Sequence, residues 1–248
     1  MAEDLASHGY IVVGNDSPYS TFIMVFPDGR VTEKTCRGSP GEIAAGSDER
    51  VRPANSLVRV WSDEIKFILD KPEQLNAGDT SNRIYGRLEL NSVGIAGHSF
   101  GGAAAAQFCH DDQRCKAGID IDGAPFGTVV QTGLKKPFMF LLGNHSGKSD
   151  PLSKQIRTNI QNIYDSLPEG RVWISLDRAK HFNFTDMALT KERLIPRLFH
   201  ATGPIGGKHG PEVEEAFVLT FFNVNLKGQA GNEIDSLPFH YPDVHLRR

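Results

Sequence analysis

Three patterns follow one another without a break between residues 93 and 109, and they constrain the fold more than any other feature of the sequence. Val93–Ala96 is a short apolar run typical of a buried strand, and Ala103–Cys109 is an alanine-rich run typical of a helix. Between them lies the G-x-S-x-G pentapeptide Gly97-His98-Ser99-Phe100-Gly101. A sharp strand-to-helix turn strains its central residue, and flanking glycines remove side chains that would collide there. The series predicts that the Ser99 hydroxyl projects above a sheet, beside a helix N-terminus.

Strand and helix patterns alternate along the rest of the chain, which is typical of a parallel sheet covered by helices. Together with the pentapeptide, this order favours an α/β fold of the α/β-hydrolase type, a mostly parallel sheet with helices on both faces. The further predicted strands are Tyr10–Gly14, Ala117–Ile121, Phe138–Leu142 and Val172–Leu176, and the predicted helices are Ser56–Leu69, Lys154–Ser166 and Glu212–Leu226.

The 248 residues suit one large domain, which we expect to span residues 1–226. Residues 17–50 are polar and rich in glycine and proline, and we interpret them as a variable loop region near the site, with a hairpin around Phe26–Gly29. Lys71-Pro72 is expected to end the helix that follows this region. Residues 227–248 are polar and are expected to form a C-terminal tail or a loosely attached strap.

Composition argues against several classes of function. The net charge is −3, and no basic run indicates a nucleic-acid partner. No segment approaches the roughly 20 apolar residues of a transmembrane helix. The composition does not indicate an oligomeric state. The first 16 residues lack the features of a signal peptide, which favours the cytoplasm. Of the three cysteines, Cys109 and Cys115 are expected to be free thiols rather than a disulfide, and we expect neither a metal nor a cofactor.

A serine hydroxyl needs a general base and an orienting carboxylate to act as a nucleophile. In this fold they follow the serine in the order acid, then histidine. His181 is the best-placed base, in a loop after the last clear strand. Asp122, which ends the strand after the alanine-rich helix, and Asp150, which follows the next strand, compete about evenly as the acid.

Other groups of the site are also predicted. Asp120 is two residues before Asp122, on the same side of the strand by alternation. The backbone N–H of Phe100 is expected to donate to an oxyanion. His98 and Phe126 are candidate lining residues of a substrate pocket.

Two long segments resemble the platelet-activating-factor acetylhydrolase family. Residues 97–127, GHSFGGAAAAQFCHDDQRCKAGIDIDGAPFG, are similar to the turn and following strand of that family, and HFNFTD at 181–186 is similar to the segment around its catalytic histidine. Weaker similarity covers most of residues 4–228. The resemblance implies Ser99 as nucleophile, His181 as base, Asp122 rather than Asp150 as acid, and Phe100 as oxyanion donor. It also implies metal-free hydrolysis of small esters, or of short or oxidised acyl chains of phospholipids, through an acyl-serine intermediate.

The sequence departs from that family before its first helix. Family members have further strands there, and a loop after one of them supplies a second oxyanion N–H, for which we find no matching residue. We therefore expect an upstream start, a replacement by a partner or by the tail, or an impaired site. The alternatives to an ester hydrolase are a catalytically impaired binding protein on the same fold, and a thioesterase or peptidase with the same three residues.

Overall fold

The computed structural model describes residues 1–39, 48–144, 150–189, 202–205 and 207–248. Its centre is a five-stranded sheet with the order β3-β4-β5-β6-β7. The first four of these strands run parallel, and β7 pairs antiparallel with β6. The strands are β3 Val93–His98, β4 Cys115–Ile121, β5 Phe138–Gly143, β6 Val172–Leu176 and β7 Val244–Arg247.

Helices cover both faces of this sheet. A separate hairpin of β1 Ile23–Val25 and β2 Val31–Glu33 precedes it, and short 3-10 helices lie at Cys36–Gly38, His181–Phe184, Asp186–Leu189 and Leu237–Phe239. The α-helices are α1 Ala2–Ser7, α2 Asp48–Ala77, α3 Phe100–Asp111, α4 Val129–Thr132, α5 Pro151–Ser166, α6 His209–Lys227 and α7 Glu233–Ser236. No helix in the described ranges is long and apolar enough to cross a bilayer.

The alternation of side chains along β5 divides the core into two layers. Phe138 and Phe140 pack with residues of α3 and α5 on one face. Met139 and Leu141 pack with α6 on the other. Each fully buried side chain of this size contributes about 1.5–3 kcal/mol. Both layers hold the parallel strands in place, so that their carboxyl ends meet at one edge of the sheet, where Ser99 and Asp122 follow β3 and β4.

These elements confirm the predicted strands and helices from residue 93 to residue 226, with ends that differ by a few residues. The hairpin predicted around Phe26–Gly29 is also confirmed, because the Phe26 N–H donates to the Arg30 carbonyl at 2.8 Å. Residues 40–47 of the predicted loop region lie outside the described residues.

The end predicted for the first long helix is wrong, because α2 continues past Pro72 to Ala77. Proline removes one helical hydrogen bond and normally ends or kinks a helix. Here the Arg114 guanidinium bonds Asp70 at 2.7 Å and Glu73 at 3.1 Å, on either side of the proline. This tertiary contact holds the two turns of the helix together.

The strand predicted at Tyr10–Gly14 is absent from the described structure. Its Ile11 and Val13 side chains are 66% and 57% exposed. Tyr10 is instead fixed through its side chain, since its hydroxyl donates to Asn223 Oδ1 at 2.9 Å and its ring contacts Phe222. A strand needs a hydrogen-bonded neighbour, and the described residues place none beside this run.

The end of the chain also differs from the expected loose tail. Residues 227–248 contain α7 and then β7, which pairs with β6 from Trp173↔Arg247 to Leu176↔Val244. Val244 is buried against the strands and α6. The segment therefore covers the edge of β6, while the extent of the domain at 1–226 stays a prediction.

The cysteine expectation is wrong as well. Cys109, near the end of α3, and Cys115, the first residue of β4, form a disulfide. The tight connection brings their Cα atoms to 5.0 Å, within the range that a disulfide spans. Cys36 is an exposed free thiol.

Candidate active site

Ser99 lies at the turn between β3 and α3 with a positive φ of 61°. Its N–H donates to the Ile121 carbonyl at 2.9 Å, which ties the turn to β4. A Cβ on Gly97 would overlap the backbone of Gly101, and a Cβ on Gly102 would overlap the Asp120 carboxylate. A Cβ on Gly101 would meet no heavy atom within 4 Å. The glycines that the turn requires are therefore Gly97 and Gly102, not both flanking glycines of the pentapeptide.

His181 begins the 3-10 helix that follows β6, and its ring lies between Ser99 and Asp122. Its Nε2 is 2.9 Å from Ser99 Oγ, and its Nδ1 is 2.8 Å from Asp122 Oδ2. With Nδ1 donating to the carboxylate, Nε2 presents its lone pair to the serine hydroxyl. The structure thus brings together three residues that are 23 and 59 positions apart along the chain.

Asp122 is the first residue after β4, and its φ of 50° turns it away from the alternation of the strand. Its Oδ1 accepts the Gly143 N–H at 2.8 Å, so both carboxylate oxygens are hydrogen-bonded within the site. The side chain is 1% exposed. Gly143 was not predicted as a site residue. The signal that could have indicated it is its position at the carboxyl end of β5, beside the end of β4.

Asp120 lies on β4 beneath the same turn. It is fully buried, and its Oδ1 accepts the Gly123 N–H at 2.7 Å. Burial raises the pKa of Asp120 well above the ordinary value, and the charge of Asp122 acts in the same direction. Asp120 and Asp122 were expected on one side of the strand. The positive φ of Asp122 changes the direction of its side chain, so the two carboxyls make separate hydrogen bonds.

Asp150, the other candidate for the acid, has a different role in the structure. It is the N-cap of α5, where its carboxylate accepts the Ser153 N–H at 3.0 Å and the Ser153 hydroxyl at 2.6 Å. These hydrogen bonds lower the pKa of Asp150, which is solvent-exposed. Asp150 thus caps a helix, whereas the carboxylate that accepts from His181 Nδ1 is that of Asp122.

His98 packs behind His181 rather than along the cavity. The two ring centroids are 4.4 Å apart, and His98 Nε2 donates to the His181 carbonyl at 2.9 Å. Burial lowers the pKa of His98, and the neighbouring His181 lowers it further. A neutral His98 supports the position of His181 without placing a second positive charge beside it.

A cavity of about 680 Å³ opens at Ser99 and His181. A volume of this size holds a drug-sized ligand. Phe100, the first residue of α3, lies in its wall, and its N–H is at the positive end of that helix. Phe126 instead lines a second cavity of about 430 Å³, and its ring centroid is 6.1 Å from that of Phe100. Sequence reasoning missed further residues that line this cavity, among them Trp61, Trp173, Lys34 and Arg157.

The fold and the site define an α/β-hydrolase-fold protein with a serine at the strand-to-helix turn after β3. The sequence model of the family "Platelet-activating factor acetylhydrolase, isoform II" matches residues 1–238. The chain belongs to this family, as the sequence resemblance predicted.

Curated relatives extend over most of the chain. The platelet-activating factor acetylhydrolase of Cavia porcellus is 26% identical over 90% of this chain and 52% of its own length. A probable 1-alkyl-2-acetylglycerophosphocholine esterase of Arthroderma benhamiae is 33% identical over 98% of this chain and 60% of its own length. The chain therefore spans between about half and three fifths of the length of these relatives.

A solved structure supports the fold independently. The ferulic acid esterase from Streptomyces cinnamoneus superposes with a TM-score of 0.73, covering 94% of this chain and 64% of that chain. The two sequences are 23% identical. At that identity the likeness concerns the architecture and confirms the predicted α/β-hydrolase fold.

Proposed function

We propose that this chain is a serine-dependent carboxylic ester hydrolase for short-chain or lipid-like acyl esters. The observation that carries the proposal is the hydrogen-bonded series from Ser99 Oγ through His181 to Asp122 at the mouth of a large cavity. The named activities of the relatives, acetylhydrolase and alkyl-acetylglycerophosphocholine esterase, support an ester substrate.

In the proposed reaction, His181 Nε2 takes the proton of Ser99 as the serine oxygen attacks the ester carbonyl carbon. Asp122 holds the tautomer of His181 and stabilises the imidazolium that forms. The Phe100 N–H donates to the oxyanion, at the end of α3 where the helix dipole favours negative charge. His181 then protonates the leaving alcohol. In the second half it removes a proton from water as the water oxygen attacks the acyl carbon, and it gives that proton to Ser99 Oγ as the acyl–serine bond breaks and the carboxylic acid leaves.

The test is hydrolysis of p-nitrophenyl acetate and p-nitrophenyl octanoate by the wild-type chain and by Ser99→Ala. We expect Ser99→Ala to lose at least about 10⁴-fold in kcat. Ser175→Ala is the matched control, because Ser175 lines the same cavity but contacts the Trp173 indole. We expect it to change kcat less than about tenfold. Equal turnover by wild type and Ser99→Ala would contradict the proposal.

A further inference from the structure

Arg157 is a charged residue of the cavity that the proposed reaction does not use. It lies on α5, and the face of that helix with Ser153, Arg157 and Ile160 lines the cavity that opens at Ser99. The spacing of four and then three residues places these side chains on one side of the helix. Arg157 therefore belongs to the wall of the active-site cavity and not to the outer surface of α5.

One nitrogen of the Arg157 guanidinium is buried without a partner in the part of the chain that the structure describes. Arg157 Nη1 is closed off from solvent and has no hydrogen-bond partner among the residues that the structure describes. A guanidinium carries five N–H donors and stays charged throughout the physiological pH range. Leaving a buried charged donor unpaired is costly. Nη1 itself is closed to a ligand, but Arg157 is partly exposed and lines the cavity, so an acceptor from outside the fold can reach the guanidinium from that side.

The nearby carboxylates are already engaged. Asp122 lines the cavity, but its oxygens accept from His181 and Gly143. Asp150, at the start of α5, accepts from Ser153. Lys34 is a second basic residue in the described lining, and its ammonium lies over the Phe22 ring. Trp173 and Leu142 supply apolar wall, and the low dielectric of such a wall strengthens attraction of an anion to Arg157.

We propose that Arg157 binds an anionic oxygen group of the ester substrate, a carboxylate or a phosphate, and so determines specificity for negatively charged esters. Arg is suited to this role because its fork of N–H donors matches the oxygens of both groups. The inference rests on the proposed function and adds the class of substrate. The anion has two possible sources, the far end of the acyl chain and the alcohol half of the ester, and the substrates of the test separate them.

The kinetic test compares matched pairs of charged and neutral esters. Mono-p-nitrophenyl adipate against p-nitrophenyl hexanoate places a carboxylate on the acyl side. For the alcohol side, 2-acetoxyethyl phosphate is compared with 2-methoxyethyl acetate. In at least one pair, we expect Arg157→Gln to lower the charged-to-neutral ratio of kcat/KM by roughly 10- to 100-fold, mainly through KM. Arg157→Lys should recover part of that ratio. Lys154→Gln, an exposed charge removed from the same helix, should leave it unchanged.

A binding test is independent of turnover. The two tryptophans of the chain, Trp61 and Trp173, both line the cavity, so their fluorescence reports its occupancy. We would titrate wild type and Arg157→Gln with adipamate against hexanamide, and with ethyl phosphate against ethanol. We expect wild type to prefer one anion of these pairs by roughly tenfold or more, and Arg157→Gln to lose that preference.

The outcomes separate the inference from the proposed function. Serine-dependent turnover with charged-to-neutral ratios that Arg157→Gln leaves within about twofold in both pairs would overturn the anion site alone. If the chain hydrolysed no ester, the proposed function would fail, and the fluorescence titration would then test the anion site without it. Arg157-dependent binding of an anion would then support the site, and equal binding by both proteins would overturn it.

Discussion

The floor of the active-site cavity and its outer wall are built in different ways. The floor consists of the strand ends that hold Ser99, Asp122 and Gly143, together with His181, and hydrogen bonds of 2.8–2.9 Å link these groups. The outer wall is formed by residues of the segment 17–39, of which Ser20, Lys34, Gly38 and Ser39 line the cavity. Its Phe22 is 87% exposed, and few side-chain hydrogen bonds join it to α2. The groups proposed to carry the chemistry are held by backbone geometry and by hydrogen bonds to one another, whereas the described side-chain hydrogen bonds of the outer wall to α2 come from Ser17 and Trp61.

The largest expected effect contrasts the two carboxylates that sequence reasoning left open. Asp122→Asn should reduce kcat on p-nitrophenyl acetate by about 10⁴-fold, because the amide no longer holds His181 in the required tautomer. Asp150→Asn should leave kcat within about twofold, since Asn also caps helices. Steady-state kinetics of both variants checks this. A large loss in Asp150→Asn with little loss in Asp122→Asn would reverse the assignment.

The next effect concerns the glycines of the floor. Gly102→Ala places a Cβ against the Asp120 carboxylate, and we expect it to lower the free energy of unfolding by about 1–3 kcal/mol and kcat by at least about tenfold. Gly101→Ala has open space at the same turn of α3, and alanine favours a helix over glycine by up to about 1 kcal/mol. Urea unfolding of the two variants provides the comparison. Equal destabilisation would show that the described packing under the turn is wrong.

Asp120 gives a pH-dependent effect within the floor. A raised pKa in the folded state means that the contribution of Asp120 to stability is present below the unfolded pKa of about 3.9 and is lost as the pH rises above it. Asp120→Asn removes this loss. The free energy of unfolding of Asp120→Asn should therefore increase relative to that of the wild type as the pH rises, by at most about 1.4 kcal/mol per pH unit.

Urea unfolding at several pH values measures that difference. Burial also raises the pKa of Glu214, to about 8, but Glu214 is present in both proteins, so the difference isolates Asp120. Asp120→Ala is the control for the hydrogen bond, because it leaves the Gly123 N–H unpaired and should destabilise by about 1–3 kcal/mol. A difference between wild type and Asp120→Asn that is independent of pH would contradict the raised pKa.

The smallest expected effect lies in the outer wall. Ser17 donates to Glu64 at 2.5 Å, and the Trp61 indole donates to Ser20 at 3.2 Å. Ser17→Ala and Ser20→Ala each remove one such bond, worth about 1 kcal/mol. We expect kcat on p-nitrophenyl acetate to stay within about threefold, with a larger relative change in KM for the octanoate. A loss of acetate turnover comparable to that of Asp122→Asn would show that the wall is part of the chemistry.

The same contrast explains what the sequence could predict. Strands β4 and β5 are buried almost throughout, between helices on both faces, so their apolar runs suffice to locate them. Tyr10–Gly14 has an equally apolar run, but a strand depends on a hydrogen-bonded neighbour that the local sequence does not specify. For the same reason the sequence did not predict the strand Val244–Arg247. This polar segment becomes a strand because β6 is available to pair with it.

Within the site, the motif predicted the turn around Ser99 but not its supports. Asp150 could have been recognised as a helix cap, because Asp followed by Pro151 and then Ser153 is typical of a helix N-terminus. The role of Gly143 depends on its hydrogen bond to Asp122, 21 residues away, and that of Arg157 depends on the contact of α5 with the cavity at Ser99. No spacing rule predicts those contacts.

The central claim, that Ser99 is the nucleophile activated by His181, is tested most directly by covalent labelling. The folded chain would be treated with a fluorophosphonate, and the modified residue would be located by mass spectrometry of its peptides. The account predicts one adduct, on Ser99, that is absent from Ser99→Ala and forms far more slowly in Asp122→Asn than in Asp150→Asn. A folded wild-type chain that takes up no label, or that is labelled equally in Ser99→Ala, would contradict it.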